Sequence, residues 1–292
     1  MIKMTELRSP DGPIARWPDS VDVLAIAAHR DDVEQTCGGT LLKAAEQGQR
    51  TAILDLTRGE MGTRGTADDR AREAAEAARI LKVGSRHALD IPDGRVENTW
   101  DNRLKVARTI RALKPRVVIL PYWQGRHPDH YTASTLGYEA CFAAGLKKLD
   151  LTVEEYLATA HDRYYNGRLL TAEDLDKEQQ YYRDHEEASA LAPHRPFKIV
   201  YATLYYDVRP TFVVDITDQF EARLRSLFAY KSQYEDQQAG SGLFPAHQEI
   251  RDRIEAMARF YGLLAGVKFA EPFVQKEVGL VDDLLHIPVQ SL

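Results

Sequence analysis

Two short stretches hold the side chains best suited to chemistry: His29-Arg30-Asp31-Asp32, directly after an apolar run, and His127-Pro128-Asp129-His130, a short loop beyond another that ends at Leu120. Together they supply three imidazoles and three carboxylates. Metal-assisted hydrolysis uses such a set, because a catalytic zinc takes three His or carboxylate ligands and keeps a further position for water, whose pKa falls to about 7. His29, Asp32 and His130 would form a two-histidine, one-carboxylate ligand set for Zn2+, with another divalent metal as the alternative ion. Asp31 adjoins a ligand and points elsewhere if Asp32 faces the metal, so it is free to act as general base. His127 could face the substrate as an imidazolium and stabilise a tetrahedral oxyanion, with Asp129 supporting its charge. The same ligand types also describe the facial triad of iron oxygenases, although a spare carboxylate base and ligands on α/β loops argue against it. A sugar- or nucleotide-binding module without catalysis is the reading from another class, and the intact base and ligand set argues against that.

The elements that must position these residues read as alternating strands and helices. Val21–Ala28 and Thr51–Thr57 are short apolar runs suited to strands buried on both faces. Between them Thr40–Gln49 has helical spacing with Gly48 as its stop. Helical patterns follow at 68–82, 102–113 and 131–147, with a strand at 116–120. Strands at 197–206 and 211–216 precede helices at 218–234 and 247–264. This order predicts an open, Rossmann-like, mostly parallel α/β sheet with helices on both faces and a C-terminal extension. Ligands in such sheets sit beyond the carboxyl ends of the strands, where both motifs fall. Residues 150–193 are polar, charged and tyrosine-rich without a strand signal, and read as a partly helical insertion into a single domain spanning 1–292.

The chain of 292 residues is 44% hydrophobic and 28% charged, which suits a folded globule rather than a disordered or fibrous chain. Its 38 basic against 44 acidic residues give a net charge of −6 with no dense basic run, so a nucleic-acid partner is not expected. Two cysteines make no disulfide framework or four-thiolate zinc site. With no apolar leader in residues 1–20 and no apolar stretch of about 18 residues, a soluble cytoplasmic protein away from membranes is expected. The expected assembly is a homo-oligomer and the expected partner a small molecule.

The two motifs, Ala28-His29-Arg30-Asp31-Asp32-Val33-Glu34 and His127-Pro128-Asp129-His130, resemble those of the LmbE/PIG-L family of zinc-dependent N-acetylglucosaminyl deacetylases. Cys37-Gly38-Gly39-Thr40, Thr57-Arg58-Gly59-Glu60, Gly62-Thr63-Arg64-Gly65-Thr66, Pro92-Asp93-Gly94, Gly266-Val267-Lys268 and Glu271-Pro272-Phe273 resemble the branch that deacetylates N-acetylglucosaminyl malate in bacillithiol biosynthesis. The resemblance covers most of the chain except residues 1–20 and about 150–193. It implies His29, Asp32 and His130 as zinc ligands, Asp31 as base, His127 as acid or oxyanion stabiliser and Arg58 as a substrate contact. Arg58 and Arg126 are the cations nearest the motifs and could bind substrate carboxylates. Arg58 could equally be solvated or pair with Glu60, itself a candidate substrate contact. Arg30 departs from the family's usual proline, removing a fixed φ angle and adding a cation. Either solvent or an acid of the insertion (Glu154, Glu155, Asp174, Asp176 or Glu178) would answer its charge. Tyr205 or Tyr206 could reach the pocket, and the remaining six histidines read as structural.

Overall fold

The structure, a computed structural model, describes residues 20–165, 168–184, 190–203, 208–235 and 245–283. Five parallel strands form the centre of a nine-stranded sheet: β1 (Val23–Ala27), β2 (Thr51–Asp55), β3 (Ser85–Leu89), β4 (Val117–Pro121) and β7 (Lys198–Ala202). The strands β5 (Ala160–Tyr165), β6 (Arg168–Leu169), β8 (Phe212–Asp215) and β9 (Ala270–Val274) extend it antiparallel at both edges. The order is β6-β5-β3-β2-β1-β4-β7-β9-β8.

Alternating apolar side chains let each central strand serve two layers. Leu24 and Ile26 of β1 and Val118 and Leu120 of β4 pack beneath α4 (Trp100–Leu113) and α5 (Pro128–Ala144). Ala25, Ala27 and Ile119 face the other layer. It contains α1 (Asp32–Thr36), α2 (Gly38–Glu46) and α3 (Ala67–Ile80). The glycine stop after α2 holds: Gly48 has φ +81°, a region open to glycine without strain. No helix among the described residues is long and apolar enough to cross a membrane.

Strand order reverses between β1 and β4, and there the sheet opens. β1 stays paired with β2 as far as Ala27↔Asp55, and β4 with β7 as far as Pro121↔Ala202. The β1–β4 pairing ends at Ala25↔Ile119. The two halves of the sheet part above that point, and both motifs emerge at the parting, as expected for a doubly wound sheet.

The segment 150–193 departs from the sequence reading. It carries α6 (Val153–Thr159) and α7 (Ala172–Asp184), but also β5 and β6, and β5 pairs antiparallel with β3. Its strand was hidden because β5 reads Ala-His-Asp-Arg-Tyr-Tyr, with no apolar run. The helical pattern over 218–234 is broken into α8 (Phe220–Leu227) and α9 (Lys231–Tyr234).

Under the first motif lies a wholly buried ion cluster. Arg86 on β3 donates through Nε and Nη2 to the Asp55 carboxylate (2.7 and 2.9 Å) and through Nη1 to Glu34 (2.6 Å). It also donates to the Arg30 carbonyl, as does the Tyr230 hydroxyl. Burial pushes the Glu34 carboxyl up to about 7, against the pull of Arg86. Replacing Arg86 with Met would strand two buried carboxylates, so Arg86→Met is expected to cost about 3–5 kcal/mol. The denaturant midpoint measures this, and an unchanged midpoint would contradict the cluster's role.

Candidate active site

Both motifs begin helices. Asp31 occupies the N-cap of α1 and Asp32 its first turn; His127 caps α5, with Pro128, Asp129 and His130 in the first turn. The partial positive charge at these helix starts favours carboxylates there. The His29 amide donates to Asp32 Oδ2 at 2.9 Å, closing the turn so that both side chains face one side.

The His29 ring has two differently furnished edges. On its Nδ1 edge, His130 Nε2 lies at 3.2 Å and Asp32 Oδ2 at 3.5 Å, and His130 Nε2 is 3.1 Å from Asp32 Oδ1. With bonds of about 2.0–2.2 Å to nitrogen or oxygen, a tetrahedral zinc site has edges of about 3.3–3.6 Å. The donor separations around His29, Asp32 and His130 are therefore close to those one face of such a site requires. On the Nε2 edge, Asp93 Oδ1 and Asp129 Oδ2 each lie at 3.2 Å. Their lone pairs also serve backbone amides: Asp129 accepts from Gly94 and Val96, and Asp93 from Met61. That edge reads as a hydrogen-bonding buttress, the arrangement that orients a metal-binding imidazole.

The electrostatics agree with a cation site. Burial works against a charged His29, yet Asp32 and hydrogen bonds to Asp129, Asp32 and Asp93 push its pKa up to about 12. Asp32 is held well below the usual carboxylate range, burial being outweighed by His130 and His29. His130 is raised, Asp32 overcoming the effect of burial. The residues present thus fit a divalent cation.

His29, Asp32, His130, His127, Asp129 and Asp31 all come together around this turn. The His127 ring stands 4.7 Å from that of His29 and 4.9 Å from that of His130, centroid to centroid. Its Nδ1 accepts the Asp129 amide at 3.2 Å, so a neutral ring carries its proton on Nε2. Burial, then the neighbouring His29 and His130, lowers its pKa, which favours the neutral ring over the expected imidazolium. The Asp129 carboxylate makes its hydrogen bonds to Gly94, Val96 and His29, and its charge acts on His127 without direct contact.

Asp31 is held by side chains outside the donor set. Its Oδ1 accepts from Arg70 (2.9 Å) and its Oδ2 from the Tyr234 hydroxyl (2.7 Å) and Gln35 (3.2 Å). Arg70 is buried against Gly59, whose φ is +72° and where a Cβ would stand 2.3 Å from Arg70 Nη1. Neither Arg70, within the helical pattern at 68–82, nor Tyr234 was a candidate from sequence. Asp93 was quoted as part of a motif without a role.

The outer candidates separate. Glu60 accepts the Asp93 amide at 2.8 Å, which makes it a brace for that turn. Arg58 is committed to Asp162 on β5, at 3.0 Å from Nε, with Asp68 3.6 Å from Nη2. Arg126 is exposed on the loop between β4 and α5. Arg30 is neither solvated nor paired with the five acids expected; it is fully buried and its guanidinium bonds Asp162 and the Ala67 carbonyl. Tyr205 and Tyr206 lie outside the described residues. Asp32 and His130 also line a cavity of about 30 Å³ where β1 and β4 part, with Val33, Cys37, Ile119 and Ala202.

An open α/β sheet with a two-histidine, one-carboxylate cluster at its switch point defines the class, and comparison with known proteins places the chain within it. The family model described as GlcNAc-PI de-N-acetylase, PIG-L, matches residues 24–141. A conserved protein of Thermus thermophilus is 33% identical, covers 90% of this chain and 98% of its own, and superposes with a TM-score of 0.69. Diacetylchitobiose deacetylase of Thermococcus kodakarensis is 29% identical over 264 residues, 87% of this chain and 82% of the relative. The N,N'-diacetylchitobiose deacetylase of Pyrococcus horikoshii shares the fold with a TM-score of 0.64 at 24% identity, over 87% of this chain and 83% of its own. The chain belongs to the PIG-L family.

His29, His127 and His130 also offer nitrogens within 4.8 Å of one another, so Asp32 and His127 compete for the third ligand position. Zinc content after gel filtration separates them. Asp32→Ala is expected to lose zinc, while His127→Ala retains about one equivalent; the reverse outcome would make the three imidazoles the ligand set.

Proposed function

We propose that this chain is a metal-dependent hydrolase that removes the N-acetyl group from an N-acetylglucosaminide, releasing acetate and a free amine. The observation that carries the reading is the convergence of His29 Nδ1, His130 Nε2 and the two Asp32 oxygens at 3.1–3.5 Å, with a second carboxylate, Asp31, adjacent in sequence. Membership of the PIG-L family and likeness to a diacetylchitobiose deacetylase support the acetamide as the bond attacked.

His29, Asp32 and His130 would hold the ion, with Zn2+ the expected metal and another divalent cation the alternative. When bound, such an ion supplies Lewis acidity that polarises the amide carbonyl and makes water acidic near neutral pH. Asp31 takes the proton of the attacking water. Arg70 and Tyr234 hold its carboxylate in place. The Nε2–H of neutral His127 donates to the oxygen on which charge develops. A C–O bond forms, the C–N bond breaks, and the proton removed from water goes to the leaving amine. Asp93 and Asp129 hold the His29 ring by its far edge, fixing the direction in which Nδ1 points. The two aglycones to compare are a second sugar, as in chitobiose, and malate, as in the bacillithiol precursor.

The test is acetate release by zinc-loaded protein from N,N'-diacetylchitobiose and N-acetylglucosaminyl malate. Release from at least one is expected, and release from neither contradicts the reading. Asp31→Asn is expected to keep its zinc and lose about 10²–10⁴-fold in kcat. Loss of zinc along with activity would make Asp31 a ligand.

A further inference from the structure

Asp162 lies on β5, in the segment that the family resemblance does not cover. Its Oδ2 accepts from two guanidinium groups, Nε of Arg58 at 3.0 Å and Nη2 of Arg30. Arg30 follows His29 and is fully buried. A guanidinium so enclosed needs a carboxylate, since an unpaired buried charge is strongly destabilising, and Asp162 is therefore fixed where it stands. Arg58, about one-third exposed, lies just beyond β2. The adjoining Thr57 amide donates to the Ala28 carbonyl, beside His29. Arg58 is thus a cation on the rim of the site, answered on one side by Asp162 and on the other by Asp68. The carboxylates around Arg58 answer its charge within the protein.

We infer that Asp162 is a specificity-determining residue: it withholds Arg58 from substrate and sets the site for N-acetylglucosaminides with a neutral aglycone, such as chito-oligosaccharides. The inference rests on the deacetylase reading for the substrate class, while the withholding of Arg58 does not depend on turnover. To take the Nε edge of Arg58 in a two-point clamp, an aglycone carboxylate must displace Asp162, and the buried Arg30 opposes that displacement. In a chain with proline at position 30, no such buried charge would tie the acid down.

The experiment uses zinc-loaded protein and two readouts. Calorimetric titration with free malate tests the cation directly, and KM for N-acetylglucosaminyl malate relative to N,N'-diacetylchitobiose tests it in turnover. Wild-type protein is expected to bind malate weakly and to favour the neutral substrate. Asp162→Asn is expected to tighten malate binding and to shift the KM ratio toward the anionic substrate, each by about tenfold, the scale of one charge-assisted hydrogen bond. Adding Arg58→Ala should reverse both, which excludes Arg126 as the cation responsible. If Asp162→Asn fails to fold because Arg30 loses its counter-charge, R30P/D162N removes both charges and is read the same way. Arg58→Ala alone should leave the ratio within about twofold of wild type. Unchanged malate affinity and KM ratio in the folded Asp162 variant overturn the inference. So does an Arg58→Ala variant that weakens malate binding or raises KM for the malyl substrate alone. Were wild type to hydrolyse neither substrate, the deacetylase reading would fail while malate titration still decided the role of Asp162.

Discussion

The buried guanidinium of Arg86 is the constraint on which the site depends. One planar fork reaches Asp55 on β2, Glu34 on α1 and the carbonyl of Arg30, so the turn from His29 to Asp32 is tied from below to two central strands. Tyr230 reaches the same carbonyl from the segment after α8. From the other end, the Arg30 side chain is tied to β5 through Asp162. The rigidity that proline supplies through a fixed φ is supplied here by hydrogen bonds at both ends of Arg30. A hydrophobic residue at position 86 could fill the space of Arg86, but would leave the Arg30 carbonyl and two carboxylates without this donor.

Above that turn, the two edges of one imidazole divide the work. Donors on the Nδ1 edge come from α1 and α5, brought together because β1 and β4 cease pairing at Ala25 and Ile119. Acceptors on the Nε2 edge come from the turn after β3 and from Asp129, and their lone pairs also serve backbone amides. Asp32 also lines the cavity where β1 and β4 part, whereas Asp93 and Asp129 do not. The segment 150–193 also joins this arrangement, since β5 continues the sheet beyond β3 and carries the acid that holds Arg30 and Arg58.

The central sheet was legible because β1, β2 and β4 are apolar on both faces, and the motifs at the ends of β1 and β4 stand out for the same reason. β3 was not legible: its five residues, Ser-Arg-His-Ala-Leu, put Arg86 and His87 where a buried strand usually shows aliphatic residues. The ionic network that stabilises the site is what erased the strand's signature. β5 and β9 were hidden alike, by Asp162 and Arg163 in one and by Glu271 and Pro272 in the other. Among site residues, His29, Asp31, Asp32, His127 and His130 could be found because they cluster in sequence. Arg70, Tyr234 and Asp162 could not, since each reaches the site across 39 or more positions.

The central claim is that the cation sits on the Nδ1 edge of His29. A crystal structure of zinc-loaded protein, with anomalous scattering recorded at the zinc edge, tests it most directly. The account predicts a single strong peak about 2.0–2.2 Å from His29 Nδ1, His130 Nε2 and an Asp32 oxygen. A peak on the opposite edge, between His29 Nε2 and the carboxylates of Asp93 and Asp129, would contradict it.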